Sequence, residues 1–285
     1  MEVPTPLLLI VAQDSVLLHE EYDEARADRL AAQIRKDGML KDPPIVGRLP
    51  QVSQLIELDG TNRLVALRRM GLDVALVQVV DYLDPALRLS SWYHIVQGRE
   101  LGELLTAVRN TAGLSLEQVS REDADAALAQ RTIIAYLSPS SEPDRAYAVS
   151  IDTDLPGQAN ALNAIVHLYK YAGGTPVRRI SSEEAVSWPQ HGPVGEGQAE
   201  GIMVAFPTYT PHEVAEMALS GKLLPSGVTR HLLPVRALGV SLPLEVLTRL
   251  ATLEERNAAL EQLIAERARA GRVRFYHEPT FVYDD

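Results

Sequence analysis

Cysteine is absent from the 285 residues, so disulfides, thiolate zinc sites and thiol nucleophiles are excluded, as fits a reducing compartment. A bound metal has to sit on oxygen or imidazole. Positive charge is in deficit: 27 Lys and Arg stand against 38 Asp and Glu, a formal net charge of −11, and such a surface repels DNA and acidic lipid. Long apolar runs are missing too. The longest near the start covers residues 7–11, against the roughly 20 residues that a membrane helix needs. The first basic residue is Arg26, so the pattern of a secretory signal is not met and a cytoplasmic location is expected. The fingerprints GxGxxG, GxxxxGK, GxSxG, HxH and HExxH do not occur. Their absence removes the ordinary dinucleotide, P-loop, α/β-hydrolase and zinc-protease readings.

What is present is enough chain for about two domains at roughly 150 residues each, with 46% hydrophobic residues to give each a core. Residues 7–18 read as a strand, 23–38 as a capped amphipathic helix, 45–49 and 54–58 as a hairpin, 61–71 as a short helix and 74–80 as a buried strand. After Asp84 and Pro85 the spacing predicts a helix through Trp92 and Val96, and Gly98 suggests a boundary near residue 100. Beyond it, helical patterns at 101–112, 124–129, 157–171 and 252–270 alternate with strand-like runs at 132–137, 146–151, 177–180 and 202–206. The expected fold class is therefore α/β (α+β), divided as 1–100 and 101–285. The loop at 188–201 reads either as a mobile lid or as a plain connection.

Four stretches can carry chemistry. In Asp59-Gly60-Thr61-Asn62-Arg63, between a strand and a helix start, Gly60 permits close backbone approach, unpaired first-turn amides face outward, and Arg63 can fork onto a phosphate oxygen. The plainer alternative is that Asp59 caps the helix while Arg63 pairs with a carboxylate. His19-Glu20-Glu21 stands at a strand end, where a carboxylate can take the proton of a hydroxyl or hold Mg²⁺, or can be merely solvated. Thr229, Arg230 and His231 fall in a segment too punctuated for regular structure, and suit carboxylate recognition or an ordinary loop. Trp92, beside His94, is either a ligand platform or core. The remaining histidines, His167, His191, His212 and His277, have no metal-site spacing.

The order of elements over residues 7–98, with His19-Glu20-Glu21, the hairpin and Leu58-Asp59-Gly60-Thr61-Asn62-Arg63-Leu64, resembles the ParB/sulfiredoxin-like superfamily. Within it the sequence is most similar to the free L-serine kinases and O-phospho-L-serine synthases of siderophore biosynthesis. Thr229 to Leu238, then Leu242-Pro243-Leu244, and Tyr276-His277-Glu278-Pro279 resemble later signatures of those kinases, so the likeness covers nearly the whole chain. The resemblance implies a ParB/sulfiredoxin-like nucleotide-binding domain followed by a mixed α/β substrate-binding domain. It implies transfer of a phosphoryl group from ATP or ADP, with Mg²⁺, to the hydroxyl of free L-serine. Glu20 and Asp59 would be the catalytic carboxylates. Asp59, Gly60, Thr61, Asn62 and Arg63 would hold the nucleotide, and His19, Trp92, Thr229, Arg230 and His231 the amino acid. One departure stands out: the kinases often carry two histidines where this chain has Thr61 and Asn62, and Asn donates a hydrogen bond but holds no charge.

The competing expectation is a non-catalytic ParB-like ligand sensor or transcriptional regulator. Residues 1–100 contain 11 basic and 15 acidic side chains, an unfavourable field for DNA backbone contacts. Residues 112–119 imitate the opening of a helix-turn-helix, but Glu122, Asp123 and Asp125 follow where a recognition helix wants basic or amide side chains. Partners are accordingly expected to be L-serine and nucleotide, without nucleic acid or membrane; neither the oligomeric state nor a metal ligand set is specified by the sequence.

Overall fold

The computed structural model describes residues 5–170, 177–189 and 200–276. His191, His277, Glu278, Pro279 and most of the 188–201 loop lie outside them.

The chain opens with β1 (Leu7–Ala12), a 3-10 turn at Gln13–Ser15 and β2 (Val16–Leu17), so the expected single strand is two. α1 (Glu24–Asp37) starts where the Asp23 carboxylate accepts from the Arg26 amide and stops at Gly38, which takes the left-handed conformation that glycine adopts without strain. β3 (Met39–Leu40), β4 (Ile45–Arg48), β5 (Leu55–Asp59), α2 (Thr61–Arg69) and β6 (Val74–Asp81) follow. The first sheet runs β1-β6-β4-β5-β2, with β2 parallel to β5 and β4 parallel to β6. β6 is buried from Val74 through Val79, as expected of an inner strand covered on both faces.

β7 (Arg88–Val96) begins the second sheet, and here the structure corrects the sequence reading: the stretch through Trp92 is a strand. Its apolar residues satisfy a helical period by coincidence, because β7 is paired by three other strands and no polar alternation survives. α3 (Leu101–Arg109), β8 (Ser115–Ser120), α4 (Arg121–Ala129), β9 (Ala135–Pro139), β10 (Arg145–Ser150) and α5 (Leu155–Lys170) come next. β8, hydrogen-bonded along its length to β10, occupies the segment that imitated a helix-turn-helix, so no recognition motif opens there. β11 (Val177–Ser181), α6 (Ser182–Ala185), β12 (Ile202–Ala205), α7 (Pro211–Leu219) and β13 (Thr229–Leu232) complete this part. The order is β11-β7-β12-β9-β10-β8, with β13 paired to β7. α7 is not among the helices expected from the sequence, and it opens on a capping box that Thr210 and Glu213 form around Pro211.

β14 (Leu242–Pro243), α8 (Leu244–Thr248) and α9 (Leu253–Arg269) return to the first sheet. β14 pairs with β3, and the buried side chain of Gln78 on β6 donates to Val235 O and accepts from Ala237 N, pinning the returning chain. Leu242, Leu247 and Leu260 join Ile10, Leu64 and Leu76 in one core. The change of sheet falls between Asp81 and Arg88 and the C-terminal segment crosses back, so a single cut at residue 100 does not coincide with a sheet boundary. A second core runs from Ile56, Leu58 and Tyr82 of the first part to Val96, Ile165 and Phe206 of the second, which fixes the two sheets against each other.

The outer edge of β1 is covered by a side chain. Asn257 of α9 accepts from Ile10 N at 2.8 Å and donates to Ile10 O at 2.9 Å, copying the pair of bonds a neighbouring strand would make. Asn257→Ala removes both, and at about 1 kcal/mol each the expected outcome is a melting temperature lower by several degrees with faster amide exchange at Ile10; unchanged exchange there would show that α9 protects the edge without Asn257.

Candidate active site

β2 and β5 are parallel, so the segments following them emerge at the same end of the sheet. The first delivers His19 and Glu20, the second Asp59 and Gly60, and Asn62 Oδ1 ties the two segments by accepting from Asp23 N at 2.9 Å. β13 comes from the other sheet to meet them. Leu224 bridges the strand end, donating to His19 O and accepting from Glu21 N at 2.8 Å each. Glu20 then receives three protein donors: Thr229 N at 2.9 Å and Thr229 Oγ1 at 2.5 Å on one oxygen, and Gly227 N at 2.9 Å on the other. The carboxylate is thus aimed by residues more than 200 positions away.

Behind Glu20 lies a group the sequence reading missed. Glu57 of β5 has no exposed surface, and its Oε2 lies 2.8 Å from His19 Nδ1; His19 Nε2 lies 2.7 Å from Thr229 Oγ1. Burial alone would lower the His19 pKa, but the charge and hydrogen bond of Glu57, with Glu20 nearby, outweigh it and raise it above the ordinary value. The visible signal was an acid in an otherwise apolar strand, Leu55-Ile56-Glu57-Leu58. Such a side chain needs a buried partner.

His231 sits next to this group. Its ring meets His19 edge-on at 5.4 Å, its Nε2 is 2.8 Å from the Tyr82 hydroxyl, and burial with the neighbouring His19 pushes its pKa down to about 3, so it is neutral. His94 is a satisfied core histidine, placed between the Tyr169 hydroxyl at 2.8 Å and Gly227 O at 2.9 Å. Through Gly227 it steadies the segment that aims Glu20.

The turn after β5 is built as expected in backbone and differently in side chains. Gly60, at φ 108°, is the N-cap residue of α2 and offers no side-chain cap, so the Thr61 and Asn62 amides of the first turn are free of helical partners. Asp59 does not cap. It pairs with Arg63 at 3.2 Å and with Arg236 of the returning segment, and the Arg63 fork is also held by Asp42 O and Pro43 O. Arg63 therefore braces the turn instead of reaching outward. Burial pushes the Asp59 carboxyl up, but the two guanidiniums outweigh it and hold the group below the ordinary carboxylate range. A depressed carboxyl stabilises the fold above its unfolded value near pH 4, and that contribution is lost as the pH falls through the folded value. Arg236→Met is expected to move the Asp59 titration, read by carbon NMR, to higher pH; an unmoved titration would assign the shift to Arg63 alone.

One local expectation is corrected by this geometry. Thr229, Arg230 and His231 lie on a strand, not a loop, so alternation sends Thr229 and His231 toward His19 and the intervening Arg230 elsewhere. Arg230 pairs with Glu183 at 2.8 Å and covers the Trp92 ring at 4.6 Å. His19 and Thr229 have their polar side-chain atoms engaged inside the protein, Thr229 Oγ1 with both His19 Nε2 and Glu20 Oε1. Arg179 packs its guanidinium on Gly227, whose amide donates to Glu20, and Lys170 lies near Arg179 and reaches Ser226 O at 3.4 Å. A cavity of about 330 Å³ lined by Tyr93, Arg121, Asp125 and Trp188 includes none of the candidate residues.

No family model matches the sequence. An ATP-dependent L-serine kinase of Staphylothermus marinus is 25% identical over 246 residues, covering 85% of this chain and 91% of that protein. SbnI of Staphylococcus aureus, in a C-terminally truncated structure, superposes with a TM-score of 0.69 at 18% identity over 92% of this chain and 97% of that one. A free serine kinase in complex with AMP gives 0.67 at 18% identity, over 84% and 93%. The chain shares its fold with these two structures. In it the meeting of β2, β5 and β13 places the Glu20 group and the α2 turn side by side. Among the described residues no helix is long and apolar enough to cross a membrane.

Proposed function

We propose that the protein phosphorylates free L-serine with ATP, giving O-phospho-L-serine and ADP. The observation that carries this reading is the convergence of a multiply hydrogen-bonded carboxylate, Glu20, with an amide-lined helix start at Thr61 and Asn62, on a fold and in a sequence similar to ATP-dependent L-serine kinases. The serine hydroxyl oxygen attacks the γ-phosphorus, the bond from that phosphorus to the bridging oxygen breaks, and ADP leaves with the electron pair. Glu20 accepts the hydroxyl proton and passes it to solvent. Backbone amides of the α2 turn hold the phosphates, and a guanidinium, Arg230 or the Arg179 that packs on Gly227, takes the serine carboxylate.

Among the described residues no cluster of three or more His, Asp or Glu is gathered for a metal. A Mg²⁺ ion accompanying a nucleotide is bound through one or two carboxylates and the substrate phosphates. Asp59 at the turn carries Arg63 and Arg236 on its Oδ2, so a Mg²⁺ ion would reach the protein chiefly through the nucleotide phosphates and would supply charge neutralisation on them. Phosphorus NMR of the protein with L-serine, ATP and Mg²⁺ is expected to show a phosphoserine monoester resonance growing with that of ADP. Binding of both ligands without this resonance would make the chain a sensor instead.

A further inference from the structure

Glu57, His19 and Thr229 form a continuous line behind Glu20, with successive separations of 2.8, 2.7 and 2.5 Å. The two ends are carboxylates, which accept hydrogen bonds when ionised. Three links between two acceptors need three hydrogens: one on His19 Nδ1, one on His19 Nε2 and one on the Thr229 hydroxyl. His19 is therefore an imidazolium whose Nε2–H donates to Thr229 Oγ1, and Thr229 in turn donates to Glu20 Oε1. If His19 loses a proton while Nδ1–H stays on Glu57, Nε2 becomes an acceptor and the Thr229 hydroxyl turns to it, away from Glu20. The line thus has two arrangements, and the charge of Glu57 selects between them.

We propose that Glu57 and His19 are positioning residues which, acting through the Thr229 hydroxyl, lock the Glu20 carboxylate in the orientation that receives the proton of the attacking serine hydroxyl. The assignment rests on the kinase reading above but concerns residues which that reading leaves without a part. The groups facing His19 agree with it. Glu57 comes from β5 and Glu20 from the same segment, and both favour the imidazolium; His231 from β13 is neutral and bonded to Tyr82, so it places no opposing charge against it. Glu57 Oε1 has no hydrogen-bond partner. The buried acid is therefore joined to the rest of the protein through His19, which a side chain retained for packing would not require.

The test pairs Glu57→Gln, which keeps shape and removes charge, with Glu57→Asp, which keeps charge. In the wild type, kcat is expected to fall with rising pH as His19 deprotonates. In Glu57→Gln that limb moves to lower pH and kcat drops about tenfold or more, the size of one hydrogen bond to a charged group, while KM for ATP stays within about twofold. Glu57→Asp returns the limb toward its original position. A limb that stays in place in Glu57→Gln overturns the proposal. Imidazole NMR of the ligand-free proteins separates this from failure of the kinase reading: His19 is expected to titrate above about 6.5 in the wild type and at or below it in Glu57→Gln. Unmoved titration overturns the coupling even in an active enzyme. A moved titration in a protein that makes no phosphoserine sinks the kinase reading and leaves the coupling standing.

Discussion

Glu20→Gln is expected to lower kcat for phosphoserine formation by about 10²- to 10⁴-fold, the contribution a positioned general base makes. The amide cannot take a proton from serine at neutral pH. It also cannot satisfy its surroundings: Thr229 N, Thr229 Oγ1 and Gly227 N all direct hydrogens at the carboxylate, so the new NH₂ faces one of them whichever way the side chain is turned. One lost hydrogen bond of this kind costs about 1–3 kcal/mol. The core from Ile56 to Phe206 should absorb that without unfolding. Initial rates of ADP release with and without serine measure the effect, with a melting curve as the folding control. A variant within about threefold of wild type would remove Glu20 from the chemistry and shift attention to Asp59.

The second large effect is at Gly60. Its φ of 108° is one that side chains rarely adopt, and an added Cβ would lie 2.9 Å from Pro44 Cβ and 3.0 Å from Pro44 Cα. The latter is backbone and cannot move aside. Gly60→Ala therefore carries the left-handed penalty of about 1–2 kcal/mol and also forces the turn to shift, taking Asp59 and the Thr61 and Asn62 amides with it. The expected result is a melting temperature lower by several degrees together with nucleotide binding weakened about tenfold, because the amide cradle loses its shape. Gly38→Ala is the control. That residue also has positive φ, 66°, but a Cβ there meets nothing within 4 Å, so it should lose stability while binding nucleotide normally. Equal effects of the two variants on affinity would mean that the α2 turn is not where the phosphates bind.

The local features of this site were legible in the sequence. The turn at Gly60 is marked by the strand and helix patterns on either side of it, though its close approach to Pro44 is not, and the α1 and α9 caps are spelled by Asp23, Gly38 and Thr252. What failed depended on distant partners. Trp92 lies on a strand because β11, β12 and β13 all pair with β7, and nothing near residue 92 announces them. The same holds for Arg230: once 229–232 is a strand, alternation separates it from its neighbours, whereas in a loop the three side chains can point together. Arg63 is paired with a nearby carboxylate, Asp59, as the plainer reading of the motif has it, but its other partners, Asp42 O and Pro43 O, lie some twenty residues back. Glu57 is legible in the sequence as a lone acid among apolar neighbours. A buried acid between Ile56 and Leu58 calls for a cationic partner, and the histidine already singled out at residue 19 was a candidate.

A crystal structure with L-serine and a non-hydrolysable ATP analogue tests the central claim most directly. The account predicts the serine hydroxyl oxygen within about 3 Å of a Glu20 oxygen, the distance a general base requires, with the terminal phosphate on the amides of Thr61 and Asn62. Serine bound against Trp92 and Arg230, with Glu20 still enclosed by Gly227 and Thr229 and no ligand touching it, would contradict the account.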